Sequence, residues 1–381
     1  LAVALCCMAI PAVTFAETGG FFDLARSDSL QLFFSVLGAY LAYQSEASVG
    51  RAVAASLVLT AAFFAKQTAA PLCVATVLPL LLWDRRRAVL MGGIGVLGFV
   101  VVAFGLNRSS DGWFWTYIFR LHQSHQFFAN RAFVQTPKTL LFIVGPSLLL
   151  ILWAALSQWV GRLGNREGRG LWYALWLALA GIGTSCLAFG TQWAHVNAYI
   201  PGVFFPSLAV GIAAGRLLER PVDSHKPKEA RAKLFREALV LLFLSLSVIL
   251  PLRRLDARTH VPSHTEYAAA AELLSRLRAV QGDVLFPFHP FYPHLVGKRT
   301  YLHRMGVWDV RGTVAWPVRN LYTALREKRF AAIVMDDKVE ATWIDWPDIL
   351  LYYRVRDRFV GPKMLEGART VPSLFLVPVE D

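Results

Sequence analysis

Charge is scarce in this sequence. Asp, Glu, Lys and Arg make up only 17% of the 381 residues while 55% are hydrophobic, a balance too apolar for an ordinary water-soluble chain of this length and the first sign of a membrane protein. Acidic residues are the rarer kind, 26 against 39 basic, leaving a net charge of +13. Cysteine is rare too: Cys6, Cys7, Cys73 and Cys186 all lie in apolar runs, where a small hydrophobe is welcome and a disulfide framework is not expected. There is no G-x-S-x-G elbow, P-loop, H-E-x-x-H or Rossmann fingerprint, which removes several soluble enzyme classes. Zinc-finger spacing and aromatic-interleaved basic patches are absent as well, so no nucleic-acid partner is expected despite the positive charge. No train of acids runs through the apolar segments and no paired broken helices recur in two similar halves, which argues against a proton-coupled or other solute transporter. Finally, "LAVALCCMAIPAVTFA" has no basic residue ahead of it, so it does not read as a signal peptide; the expectation is that the protein's N-terminus lies upstream of Leu1.

What is present is a succession of apolar runs. A bilayer-crossing helix needs about 20 mostly apolar residues. Five runs are the clear candidates: Ala88 to Leu106, Thr139 to Val160, Leu171 to Gly190, Ala198 to Gly215 and Ala238 to Leu252. Shorter ones cover Leu1 to Ala16, Ser29 to Tyr43, Ala52 to Ala65 and Thr68 to Trp83. The last two are separated only by Lys66 and Gln67, so they are either two short helices or one long bent one. If the five clear runs alternate across the membrane, "DRRR", "GRLGNREGRG" and the basic stretch from Arg216 to Arg236 fall on one side. Positive loops stay cytoplasmic, so the opening "ETGGFFDLARSDSL", the loop Asn107 to Lys138, the turn "GTQWAHVNA" and everything after Leu252 are expected on the exoplasmic side.

After Leu252 the character changes, with charge frequent and no run long enough to span. "SHTE" from Ser263 has the spacing of a capping box ahead of a helix. "DVLFPF", "FAAIVMDD" and "SLFLVPV" read as buried strands, and "VRNLYTALREKR" as a second amphipathic helix. The expected fold is mostly α: a polytopic bundle of about eight to nine hydrophobic segments over residues 1–252, with a small exoplasmic α/β domain over residues 253–381.

Ionisable groups at membrane depth are costly and tend to be functional. Arg26 and Asp28 open the run Ser29 to Tyr43, where Asp28 either caps the helix or serves a site. Lys66 and Gln67 interrupt an apolar run in mid-course, as a compact cation and a neutral donor suited to a lipid phosphate, unless Lys66 merely snorkels. The turn after Gly190 holds Gln192, His195 and Asn197, His195 being suited to acid–base work or to a sugar hydroxyl unless, as a lone His at a turn, it is structural. The loop Asn107 to Lys138 mixes aromatic and basic residues in the manner of an interfacial segment; its His122 and His125 have one-turn spacing without a third ligand, too little for a metal site. Asp336 and Asp337 end an expected strand.

Two motifs in order, "GGFFDLARSDSLQLFFSVLGAYLA" and then "AASLVLTAAFFAKQTAAPL", resemble the multi-spanning GT-C glycosyltransferases, in particular bacterial members with the protein mannosyltransferase-like domain. The resemblance covers about the first half of the chain. It implies transfer of a sugar from a polyprenyl-phosphate carrier to an exoplasmic lipid, glycan or protein acceptor, with inversion, in the bacterial inner or plasma membrane. Carried over residue by residue, Arg26 and Asp28 belong to the family-like helix start and Lys66 with Gln67 to the polar break near the donor phosphate; with His195, read from the turn itself, these are the expected donor-phosphate and substrate residues. The family's general base lies in the loop after the first span, and that acid is expected upstream of Leu1, so no catalytic residue is assigned. The sequence requires no cofactor, although a divalent cation is compatible with such a transfer. The alternative is a non-catalytic membrane protein that binds or flips a lipid-linked glycan.

Overall fold

The computed structural model describes residues 2–22, 26–159, 166–219, 227–309, 319–336, 349–363 and 371–380. The chain divides into two compact units, Leu1–Trp115 with His125–Asp256, and Thr116–Ser124 with Ala257–Asp381.

The first unit is helical. Its helices are α1 (Ala2–Val13), α2 (Ser27–Tyr43), α3 (Val49–Ala65), α4 (Ala70–Val77), α5 (Leu80–Trp83), α6 (Arg85–Ser109), α7 (Thr136–Trp159), α8 (Arg166–Gly190), α9 (Ile200–Leu218) and α10 (Pro227–Leu252). Five stretches are long and apolar enough to cross a membrane: Arg85–Ser109, Arg131–Leu156, Gly168–Gly190, Val196–Leu218 and Pro227–Leu252. They correspond to the five clear runs of the sequence. Helix α6 turns most of its apolar side chains outward, with Val96 65% and Phe104 74% exposed. A helix apolar on its outer face belongs in lipid, and the chain is a mostly helical protein of membrane type.

The core forms around α9, whose Val203, Ala209, Val210 and Ala213 pack against Ile10 of α1, Ile143 and Leu150 of α7, Ala178 of α8 and Leu244 of α10. Small residues set the approach of α8 to α9. A methyl group added at Gly181 would stand 2.6 Å from the Pro201 carbonyl oxygen, and one at Gly202 would stand 2.7 Å from Ser185 Oγ. Close packing through small residues is how helices associate where lipid removes the hydrophobic drive. A second cluster joins Phe21, Leu32, Leu72, Tyr173 and Phe205, tying α2 and α4 to α8 and α9.

The polar pair Lys66–Gln67 separates two helices. Helix α3 stops at Lys66, whose backbone is extended (φ −160°, ψ 125°), and Gln67–Ala69 make a single 3-10 turn before α4.

The second unit is built on a four-stranded sheet in the order β1-β2-β4-β3, from β1 (Val284–Leu285), β2 (Ala332–Asp336), β3 (Tyr353–Arg358) and β4 (Pro372–Pro378). Strands β1 and β2 are parallel; β4 runs antiparallel to both β2 and β3. Alternation along β2 sends Ala332 and Val334 to one core with Leu273 and Leu277 of the helix α11 (His264–Ala279). It sends Ile333 and Met335 to another core with Leu321 and Leu325 of the helix α12 (Arg319–Arg326). The capping box is formed: Ser263 Oγ accepts from the Glu266 amide, and the Glu266 carboxylate accepts from the Ser263 amide. The strand expected over "DVLFPF" is cut to two residues, with Pro287 following and unable to donate to a ladder. Strand β3, "YRVRDR", was not expected from sequence: its charged side chains mark an exposed edge. Residues Thr116–Ser124 belong to this unit, where Tyr117 Oη donates to the Gly306 carbonyl at 3.2 Å.

Candidate functional site

The candidate site is assembled from three separate pieces of chain: the start of α2, the break between α3 and α4, and the turn before α9. Asp28 is the second residue of α2. The N-cap is Arg26, which makes no side-chain capping bond, and the residue exposure of Asp28 is only 3%. Its Oδ1 accepts from Lys66 Nζ at 2.5 Å and from Asn197 Nδ2 at 2.8 Å. Its Oδ2 lies 3.5 Å from Arg26 Nε. The extended backbone at Lys66 ends the helix so that its side chain reaches across to α2. Asn197 is placed by the 3-10 turn Val196–Tyr199.

Electrostatics explains why these partners are needed. A buried carboxylate without compensation is expensive, and charge-assisted hydrogen bonds from an ammonium and an amide offset that cost. Among the described residues two cations meet one anion, so this network carries an excess positive charge, presented at the more exposed Arg26 and Lys66, whose side chains are 53% and 22% exposed.

Beside Asp28 lies a cavity of about 10 Å³, walled by Gln31, Lys66, Thr68, Thr184 and Asn197 among others. That is room for a single water molecule and not for a sugar. Gln31 Nε2, Thr184 Oγ1 and Asp28 Oδ2 are shielded from solvent without a hydrogen-bond partner, and all three residues line this cavity. The cavity thus brings a donor, a hydroxyl and a carboxylate oxygen, each without a hydrogen-bond partner in the protein, around a space the size of one water. Among the described residues no three His, Cys, Asp or Glu side chains gather as a metal site would require.

His195 stands next to this cluster. It has extended backbone just ahead of the 3-10 turn, and its ring packs on Phe21 with centroids 5.1 Å apart; the Arg26 guanidinium lies over the same Phe21 ring at 5.0 Å. Burial pushes the His195 pKa down, and the positive charges of Arg26 and Arg131 push it further the same way, which keeps the imidazole neutral at pH 7 and able to accept a proton. Arg131 itself is fixed by donation to the Ala194 carbonyl at 2.7 Å and by stacking over Phe189 at 4.2 Å. Gln67 begins the 3-10 turn and is not among the cavity's walls.

The structure therefore brings Arg26, Asp28 and Lys66 into one network and sets His195 against its edge; Gln67 follows Lys66 directly without lining the cavity. Sequence reasoning did not assign Gln31, Thr184 or Asn197 to the site. Asn197 sits in the motif that holds His195, but its partner lies 169 residues away. Glu17 was likewise given no role: both carboxylate oxygens are shielded from solvent, and burial raises its pKa, against the lowering effects of its own backbone amide and the Arg254 charge.

In the second unit, Asp336 ends β2 with its carboxylate buried and His289 Nε2 at 3.3 Å from Oδ1. Asp337 lies outside the described residues. Comparison of the chain with protein-family models, with curated proteins and with solved structures gives no match.

Proposed function

We propose that this chain is part of an integral-membrane glycosyltransferase that moves a sugar from a polyprenyl-phosphate donor to an exoplasmic lipid, glycan or protein acceptor with inversion. The observation that carries this reading is the Arg26–Asp28–Lys66–Asn197 network, because it joins the two family-like motifs through a site with excess positive charge. Departure of a phosphate from an anomeric carbon needs nearby cations to hold the developing charge. Arg26 and Lys66 supply them, with Asp28 and Asn197 orienting Lys66. His195, neutral and next to Arg26, suits a hydroxyl of the sugar or acceptor. In this reading the shorter helices complete a bundle of about eight to nine segments in a bacterial plasma membrane, and the α/β unit is exoplasmic.

A second reading, a protein that binds or flips the lipid-linked glycan without chemistry, draws support from Asp28 itself: its Oδ1 is already engaged by two donors, so the carboxylate is poorly placed to act as a base. Proteoliposomes loaded with a polyprenyl-phosphate sugar and an acceptor extract decide between the two. The enzyme consumes the donor and Lys66→Ala abolishes consumption; a flippase moves the donor between leaflets with its phosphate ester intact. Absence of turnover by the full-length protein, with cell-envelope glycans unchanged by Lys66→Ala, would overturn the transferase reading.

A further inference from the structure

A second site lies at the other end of the helical unit. Helix α2 carries Asp28 at its start and Tyr43 at its end, and 17 helical residues span roughly 25 Å. Tyr43 Oη lies within 3.0 Å of where a methyl group on Gly170 would stand, next to Arg169 at the start of the span Gly168–Gly190. Here a groove of about 420 Å³ opens between two walls, a volume in the range of ligand pockets, roughly 300–1,000 Å³.

One wall is a single face of α8, since Arg169, Trp172 and Trp176 recur at helical spacing. The other is made by Leu78, Pro79, Leu82 and Trp83 around α5. Leu82 is 85% and Trp176 42% exposed. Among the described residues Arg169 is the only charged side chain of the lining, and its Nη1 donates to Glu46 Oε1 at 2.9 Å. That contact uses one of the five N–H donors of a guanidinium. After Trp83 comes Asp84, which caps the next helix by accepting from the Arg87 amide, and then Arg85 and Arg86, which are exposed and begin the span Arg85–Ser109. The groove thus has apolar and tryptophan walls, a cation at its mouth and a basic rim, at the level where two spans enter the bilayer.

We infer that this groove binds an anionic phospholipid of the leaflet facing the basic loops, with an acyl chain along the Leu and Trp walls and the phosphate on Arg169. Aromatic residues collect at the headgroup level, and charge complementarity with the arginines selects an anionic headgroup, at about 1 kcal/mol, or roughly fivefold in affinity, per basic residue near the surface. The site is independent of the sugar-transfer reading, being at the opposite end of α2.

Native mass spectrometry of the purified chain, titrated with dioleoylphosphatidylglycerol and, separately, dioleoylphosphatidylcholine, tests it. The expected result is bound phosphatidylglycerol at least about fivefold over phosphatidylcholine, a comparable loss in Arg169→Gln, and a loss of both lipids in Trp176→Ala, whose exposed position spares the fold. Glu46→Gln removes the partner of Arg169 while keeping its charge, so binding is expected to persist. Equal retention of the two lipids, or undiminished phosphatidylglycerol in Arg169→Gln, would overturn the inference. So would a loss in Glu46→Gln as large as in Arg169→Gln, which would assign the effect to the broken ion pair.

Discussion

Lys66 Nζ meets Asp28 Oδ1 at 2.5 Å, across 38 residues of sequence and two helices. The ammonium completes the helix break that ends α3 and the carboxylate is held in the first turn of α2, so one bond ties the two motifs together. Removing one partner of a buried pair leaves the other uncompensated, a cost of about 3–5 kcal/mol, whereas removing both costs far less. Lys66→Met is therefore expected to lower the unfolding midpoint in detergent sharply, and Asp28→Asn with Lys66→Met to recover much of the loss. A double-mutant cycle on thermal or denaturant unfolding measures the coupling; additive single effects would show that the pair contributes nothing.

Asn197 donates to the same oxygen of Asp28 at 2.8 Å. A hydrogen bond to a charged group contributes about 1.5–3 kcal/mol, so Asn197→Ala is expected to destabilise by that amount. Asn197→Asp should do more damage, since it faces a second carboxylate toward Asp28. If Asn197→Asp is as stable as the parent at neutral pH, the geometry assigned to this turn is wrong.

His195 and Glu17 contribute to the pH dependence of stability with opposite sign. His195 has a folded-state pKa below its ordinary 6.5 because of burial, Arg26 and Arg131. The unfolded chain thus binds the extra proton first, and the His195 contribution is present above pH 6.5 and lost as pH falls toward the folded value. Glu17 has its pKa raised above 4.5 by burial. Its contribution is full below 4.5 and lost as pH rises through the raised value. Unfolding midpoints measured from pH 4 to 8 are expected to rise less steeply between pH 5 and 7 in His195→Gln than in the parent, and to gain most at neutral pH in Glu17→Gln. Parallel curves for parent and variants would refute both assignments.

How much of this was legible in the sequence follows from range. The five spans announce themselves because each is a continuous apolar run, and the Lys66–Gln67 break because a cation interrupts one. The box at Ser263 and Glu266 is local and was readable for the same reason. Asn197, Gln31 and Thr184 carry no such signal: a polar residue on an apolar helix looks alike whether it faces lipid headgroups or a buried carboxylate, and only the packing of α2 against α8 and α9 distinguishes them. Strand β3 escaped because its arginines, natural on an exposed sheet edge, dilute the hydrophobic alternation on which strand recognition depends. Burial of Glu17 depends on how the chain folds back after α1, which its neighbours in sequence do not encode.

The close approach of α8 to α9 makes a final, sharper prediction. A side chain at Gly181 would meet the Pro201 carbonyl oxygen at 2.6 Å and Phe205 Cβ at 3.0 Å, and that carbonyl is backbone that cannot swing aside. Gly215, farther along α9, has open space around its missing Cβ. Overpacking a tight contact costs about 1–3 kcal/mol, while Ala in place of an unconstrained helical Gly gains up to about 1 kcal/mol. Gly181→Ala is therefore expected to lower the unfolding midpoint and Gly215→Ala to leave it unchanged or raise it, although the substitution is chemically identical. Because α9 also carries the turn that presents Asn197, Gly181→Ala should weaken the Asp28 network as well, measured as a smaller coupling between Asp28 and Lys66 in that background. An undiminished coupling would show that the α8–α9 contact and the site are mechanically separate.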